Sequence, residues 1–322
     1  MAAVPSVRPE TVRRRFPVAA IVLIALIAVA AVLALFLVFL PIRTVNISEC
    51  REVPFTAGVN TLNLSLDADV ANVNIVFENL ADRLVMLNTS MTGGVGIFYE
   101  PAMLQVTLDH SVSGNVLTVT STVNTPFGWV RPMFLNVTCD LRIDVSLASS
   151  LDVKTGVGKI VLLSEPDVTI DFLNLESTTG GIDAQLPENS IVNGDVSLRA
   201  VTGGVDLAWR NVVVANDIIV TARTTTGGIK VDISQDSRLQ GNVTVTTEAT
   251  TGGIDFSVDI DDGVGAKIQS SVTTGSVRVT RQVRFSGVES SLQSDNYPAT
   301  SNFNVTLKTV TGGITLDTKY TP

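Results

Sequence analysis

Alternation of apolar and polar residues dominates the chain beyond residue 60 and predicts strands. Thr61-Leu62-Asn63-Leu64-Ser65-Leu66 has period two, and Val73-Asn74-Ile75-Val76-Phe77 follows it more weakly. Residues 103–108 and 116–120 alternate on either side of Ser113-Gly114-Asn115, which signals a hairpin. Two further strand patterns surround Cys139 within residues 134–147. One stretch differs: residues 18–40 are an unbroken apolar run, which predicts a helix.

From residue 150 a longer period is superimposed on the alternation. Thr178-Thr179-Gly180-Gly181-Ile182-Asp183 returns around Gly203-Gly204, Gly227-Gly228, Gly252-Gly253, Gly275-Ser276 and Gly312-Gly313. Looser copies stand at Thr155-Gly156-Val157-Gly158 and Thr92-Gly93-Gly94-Val95. From Thr155 to Thr274 the steps between the threonines are 24, 23, 24, 25 and 23 residues. A fixed period of this size is the mark of stacked repeat units.

Aligning the copies reveals apolar columns. After the glycines come Ile182, Val205, Ile229, Ile254, Val277 and Ile314, and two residues on Ala184, Leu207, Val231, Phe256, Val279 and Leu316. Six residues before each threonine stand Leu173, Val196, Val220, Val245, Ile268 and Val305. Each unit therefore reads as a strand on either side of a glycine corner, with like side chains stacking about 4.8 Å apart. Turns between chain faces need positive φ or close backbone approach, which the glycine pair supplies. On this view Gly228→Val destabilises more than Lys230→Val. The fold expected is all-β: a right-handed parallel β-solenoid over residues 151–322, capped by a β-rich module over 41–150. Residues 287–301 read as a loop excursion before the last copy.

Charge bears on location. Four arginines against one glutamate give residues 1–17 a net charge of +3, and residues 18–40 carry none, so residues 41–322 carry −12 of the total −9. At about 1.5 Å per residue the apolar run reaches roughly 34 Å, and its basic flank lies on the N-terminal side. It predicts a single-pass transmembrane helix over 18–40, with residues 1–17 cytoplasmic and the remainder extracytoplasmic. An acidic ectodomain argues against nucleic acid as a partner. Export also frames the cysteines: a Cys50–Cys139 bridge would close a loop of about 90 residues, and two free thiols are the alternative. Six sequons, at Asn46, Asn63, Asn88, Asn136, Asn242 and Asn304, are candidate glycosylation sites in a host that uses them.

The recurrent Thr-Gly-Gly-Ile stretches, their spacing of about 24 and the N-terminal apolar segment resemble the putative-adhesin β-strand-repeat domains of bacterial and archaeal envelope proteins. The resemblance covers roughly residues 60–318. It implies a β-solenoid-like surface domain and supplies no catalytic residues.

Chemistry is sparse. The column after the first apolar ladder is Asp183, Asp206, Lys230, Asp255, Arg278 and Thr315, which points outward as a solvated, partly self-neutralised row. No metal or cofactor is expected; the nearest approach to a Ca²⁺ site is the acidic group Asp255, Asp259, Asp261 and Asp262. His110, the one histidine, reads as a surface residue, so neither a zinc site nor a Ser-His-Asp triad has material. Trp129 and Trp209 are aromatic candidates for sugar stacking or for packing at corners. The function expected is a non-enzymatic, membrane-anchored surface protein for adhesion, structure or interaction, with envelope proteins or surface glycans as partners. The alternatives are an anchored carbohydrate-active enzyme and an envelope-stress sensor acting through a partner.

Overall fold

The computed structural model describes residues 18–39, 43–95, 104–125, 135–236 and 239–322. The helix α1 (Val18–Phe39) precedes twenty-five strands. The first eight are β1 (Arg43–Pro54), β2 (Thr61–Val70), β3 (Asn72–Glu78), β4 (Arg83–Val95), β5 (Gln105–Ser113), β6 (Val116–Asn124), β7 (Leu135–Asp144) and β8 (Ala148–Val157). Through the repeats run β9 (Ile160–Leu163), β10 (Thr169–Thr179), β11 (Ile182–Leu186), β12 (Ile191–Val192), β13 (Val196–Thr202), β14 (Val205–Arg210), β15 (Val213–Val214), β16 (Ile218–Thr226) and β17 (Ile229–Gln235). The last are β18 (Val243–Thr251), β19 (Ile254–Asp261), β20 (Val264–Thr274), β21 (Val277–Val283), β22 (Phe285–Val288), β23 (Ser291–Ser294), β24 (Ser301–Thr311) and β25 (Ile314–Thr321).

The strands form two large sheets. Sheet A has eleven, in the order β1-β4-β7-β3-β9-β11-β14-β17-β19-β25-β21. Sheet B has fourteen, in the order β22-β23-β20-β24-β18-β16-β13-β10-β8-β2-β6-β5, with the two-residue strands β12 and β15 beside this path. Each repeat lays one strand in sheet B, turns at the glycines and lays the next in sheet A. Period-two patterning then puts one face of each strand inside. In β17, Ile229, Val231, Ile233 and Gln235 are buried, while Lys230, Asp232 and Ser234 face out.

The expected columns stack in register. Ile182, Val205, Ile229, Ile254 and Ile314 are successive partners across sheet A and are buried. Leu173, Val196, Val220, Val245, Val305 and Ile268 do the same in sheet B. Each such side chain taken fully out of water contributes roughly 1.5–3 kcal/mol before entropy is set against it. The two sheets meet through this core. Trp209 of sheet A packs edge-on against Phe303 of sheet B, with ring centroids 6.3 Å apart and planes at 85°.

Two expectations are corrected. The architecture is a pair of mixed sheets, not a closed parallel solenoid. Antiparallel pairs β1–β4, β4–β7 and β5–β6 close one end, and β20–β23 and β22–β23 close the other. A third face is reduced to β12 and β15. The stacking order also departs from chain order, because β24 and β25 sit between the preceding repeat and the strands β20 and β21. Both sheets continue across residue 150, since β2 pairs with β8 and β3 with β9.

The second correction concerns the membrane. A helix does form over Val18–Phe39. Among the described residues no helix is long and apolar enough to cross a membrane. The single-pass anchor is therefore withdrawn, and with it the assignment of the two sides.

The corner is sharper than the glycine pair suggests. Gly227 has φ of +148°, and a Cβ placed on it would stand 2.1 Å from the Gly203 carbonyl oxygen. On Gly228 a Cβ would lie 3.7 Å from the Gly253 carbonyl oxygen, an ordinary contact. Ser276 occupies the equivalent second position in its own repeat. The constrained residue is the first glycine of the pair, so the substitution that tests the corner is at Gly227 rather than Gly228.

Candidate functional site

The repeats put like positions side by side, so the outer faces carry rows. On sheet A, Asp183, Asp206, Lys230, Asp255, Thr315 and Arg278 are successive register partners. The sequence row is thus brought together, with Thr315 between Asp255 and Arg278. Lys159 on the preceding turn donates to Asp183 at 3.0 Å. Farther along the same strands, Arg281 donates to Asp317 at 2.6 Å and Lys319 to Asp259 at 2.9 Å. The partners in these pairs remain a quarter to a half exposed, so each pair contributes little, about 0–1 kcal/mol.

A second row, on sheet B, was missed in the sequence. Lys154, Glu176, Arg199, Arg223, Glu248 and Lys308 follow one another in register. Arg199 lies 3.9 Å from Glu176, Arg223 3.1 Å from Glu248, and Lys308 3.8 Å from Glu248. The signal was present in the alignment, because Glu176, Arg199, Arg223, Glu248 and Lys308 each stand three residues before a repeat threonine.

The acidic group does not converge. Asp255, Asp259 and Asp261 alternate on the outward face of β19, spaced about 6.6 Å per two residues. Asp259 is paired with Lys319, and Asp262 accepts a hydrogen bond from the Tyr320 hydroxyl at 3.0 Å. Among the described residues no three His, Cys, Asp or Glu side chains come together in a way that could hold a metal ion.

The cysteines are also kept apart. Cys50 is exposed and Cys139 is buried, and both are free thiols. Cys50 pairs with Asn88 of β4, and Cys139 pairs with the next residue, Thr89. Adjacent strand residues face opposite ways, so the two thiols lie on opposite faces of sheet A with β4 between them. Burial pushes the Cys139 thiol up to about 12, with the Asp140 charge adding and the Thr89 hydroxyl opposing.

The sequon asparagines lie on strands rather than loop tips: Asn46 on β1, Asn63 on β2, Asn88 on β4, Asn136 on β7 and Asn304 on β24, with Asn242 just before β18. Asn46, Asn63 and Asn136 are exposed, and the other three are partly covered. Asn88 accepts from the Ser48 hydroxyl, Asn136 from the Asn72 amide and Asn304 from the Tyr297 hydroxyl. His110 is exposed on β5, opposite Val119. Trp129 lies outside the described residues. Trp209 is a core residue whose indole N–H donates to Gln235 Oε1 at 3.0 Å, so it offers no face to a sugar.

The concavities are shallow. One of about 360 Å³ lies beside Leu163, Pro187 and Arg210 on sheet A, and one of about 230 Å³ beside Phe172 on sheet B. A groove of about 560 Å³ runs along β21 at the end of the molecule.

No family model matches the chain, and no curated protein matches it. Solved structures do resemble it. A putative cell adhesion protein from Clostridium sporogenes aligns over 85% of this chain and 100% of its own, with 14% identity and a TM-score of 0.41. A putative adhesin from Bacteroides fragilis aligns over 84% and 97%, with 14% identity and a TM-score of 0.29. A putative lipid binding protein from Parabacteroides distasonis aligns over 84% and 96%, with 12% identity and a TM-score of 0.35. The structural neighbours thus include bacterial proteins named as putative adhesins.

Proposed function

We propose that the protein is a non-catalytic, adhesion-like binding scaffold whose ligand meets the flat outer face of sheet A. The observation that carries this reading is the in-register row from Asp183 to Arg278, held on strands whose other side is the packed core. Rows about 4.8 Å apart on a rigid sheet present one charge pattern over many strands. That suits an extended or repeating partner, such as a surface glycan or an envelope protein, better than a single small molecule. Residues 41–150 then serve as the end cap of the slab, with antiparallel β1 and β5 at its rim.

The test is binding of the full chain to arrays of surface polysaccharides and immobilised envelope proteins, with the row variant Asp206→Ala/Lys230→Ala/Asp255→Ala beside it. Binding that falls at least tenfold in the variant supports the reading. Binding that is unchanged in the variant, or turnover of the polysaccharide into new reducing ends, overturns it.

A further inference from the structure

We propose that the free edge of β21 is a docking site for an extended strand of a partner protein that alternates apolar and acidic residues.

The two sheets end differently at this pole. Sheet B runs on past β20 into the antiparallel strands β23 and β22, whereas sheet A stops at β21. The sandwich is therefore short of strands on one side only. The consequence shows in burial. The interior columns that are covered at Ile314 and Leu316 end on β21 at Val277 and Val279, both only half-buried. Across the gap Val288 at the end of β22 is 66% exposed. Between them lies the 560 Å³ groove, whose valines Val277, Val279 and Val288 are joined by Gln282, Glu289 and Ser290. A strand added to β21 would bond to its unpaired backbone groups and place every second side chain in this groove, against Val277, Val279 and Val288.

Charge selects the occupant. The edge reads Val277-Arg278-Val279-Thr280-Arg281-Gln282-Val283-Arg284, with no carboxylate in a chain of net charge −9, and the groove's one carboxylate, Glu289, stands on the turn after β22 rather than on the edge strand. Arg281 is satisfied by Asp317, whereas Arg278 has no ion-pair partner among the described residues. Arg278 faces outward beside Thr315, where the solvent-side residues of an added strand would stand. Two copies joined at this edge would bring the Arg278 of each into one seam, a repulsive arrangement. An acidic strand meets the opposite condition, since its carboxylates would lie against Arg278. The inference holds whatever the faces of the slab bind.

The experiment titrates the full chain into a fluorescent, end-blocked peptide of alternating Val and Glu. A Val/Lys peptide and a Ser/Glu peptide serve as comparisons. Amide hydrogen exchange is followed over residues 277–283. The expected result is saturable binding of the Val/Glu peptide, at least tenfold weaker with either comparison peptide. New exchange protection appears at 277–283, and affinity falls at least tenfold in Arg278→Glu and in Val288→Asp. Both substituted residues are exposed, and retention of the wild-type melting temperature shows that the variants fold. Four results overturn the proposal: no binding up to millimolar peptide, equal binding of the Val/Lys peptide, protection elsewhere, or affinity untouched by both substitutions. Concentration-dependent self-association that Arg278→Glu abolishes also overturns it, by making a second copy the occupant.

Discussion

The hydroxyl of Thr224 donates to the carbonyl oxygen of Gly203 at 2.9 Å, and that same oxygen stands where a side chain on Gly227 would have to go. One carbonyl thus accepts the buried hydroxyl and bars a side chain from the first glycine of the next corner. The arrangement recurs between Ser177 and Gly158 and between Thr309 and Gly252.

The two glycines of a pair are therefore expected to respond differently. Gly227→Ala forces a Cβ against backbone at positive φ, and should cost about 2–4 kcal/mol. Gly228→Ala should cost less than about 1 kcal/mol, since Gly228 meets only an ordinary contact. Urea unfolding of both variants checks this, and equal losses would sink the corner as described.

The buried hydroxyls give a sharper comparison, because three of them among the described residues, on Thr125, Ser190 and Thr247, lack a partner. Thr224→Val should cost about 1 kcal/mol by removing the donor to Gly203, with Thr224→Ser close to wild type. Thr247 Oγ1 is buried and has no hydrogen-bond partner. Thr247→Val, of similar shape, should be neutral or stabilising. Thermal melts that ranked the two valine variants the other way would refute the assignment.

These contrasts show which parts of the fold were legible in sequence. Strand identity and the columns could be read because period two and the 24-residue step are local facts about Ile182, Val205 and Ile229. Stacking order could not. Val245 offers the same apolar surface whether its neighbour is Ile268 or Val305, so the column chemistry is indifferent to which strand inserts. The structure places Val305 beside Val245 and moves Ile268 outward. The antiparallel closures that replace the solenoid are equally silent, because β1 and β4 alternate just as parallel strands would. Of the surface, the Asp183 row was legible because it adjoins the glycines. The Glu176–Arg223–Glu248 row was less legible because its position, three residues before the repeat threonine, changes sign among the copies and adjoins no glycine.

The thiols should separate by reactivity. A maleimide at neutral pH should label the native protein once, at exposed Cys50, and the denatured protein twice. Since folding raises the Cys139 thiol from 9.0 to about 12, its contribution to stability is present below pH 9 and is lost as pH rises above that value. Cys139→Ser should remove that alkaline component while leaving labelling at Cys50 intact. Two labels on the native chain would contradict the buried assignment.

Asp144 supplies a prediction at the acid end. Partial burial raises its carboxyl, but the Ser146 hydroxyl and the N–H groups of Leu80 and Ser146 outweigh that and hold it below the ordinary carboxylate range. These bonds tie the turn after β3 to the turn after β7. A depressed folded value means that the stabilisation is present above the unfolded pKa, near 3.9, and is lost as pH falls through the lower folded one. Asp144→Ala should therefore destabilise by about 1 kcal/mol at pH 7, a figure kept small because the site is partly solvated. The gap between variant and wild type should narrow as pH drops below 4. Chemical denaturation at pH 7 and at pH 3 measures it; a gap that widens toward pH 3 would mean that the carboxylate is not the form the two turns hold.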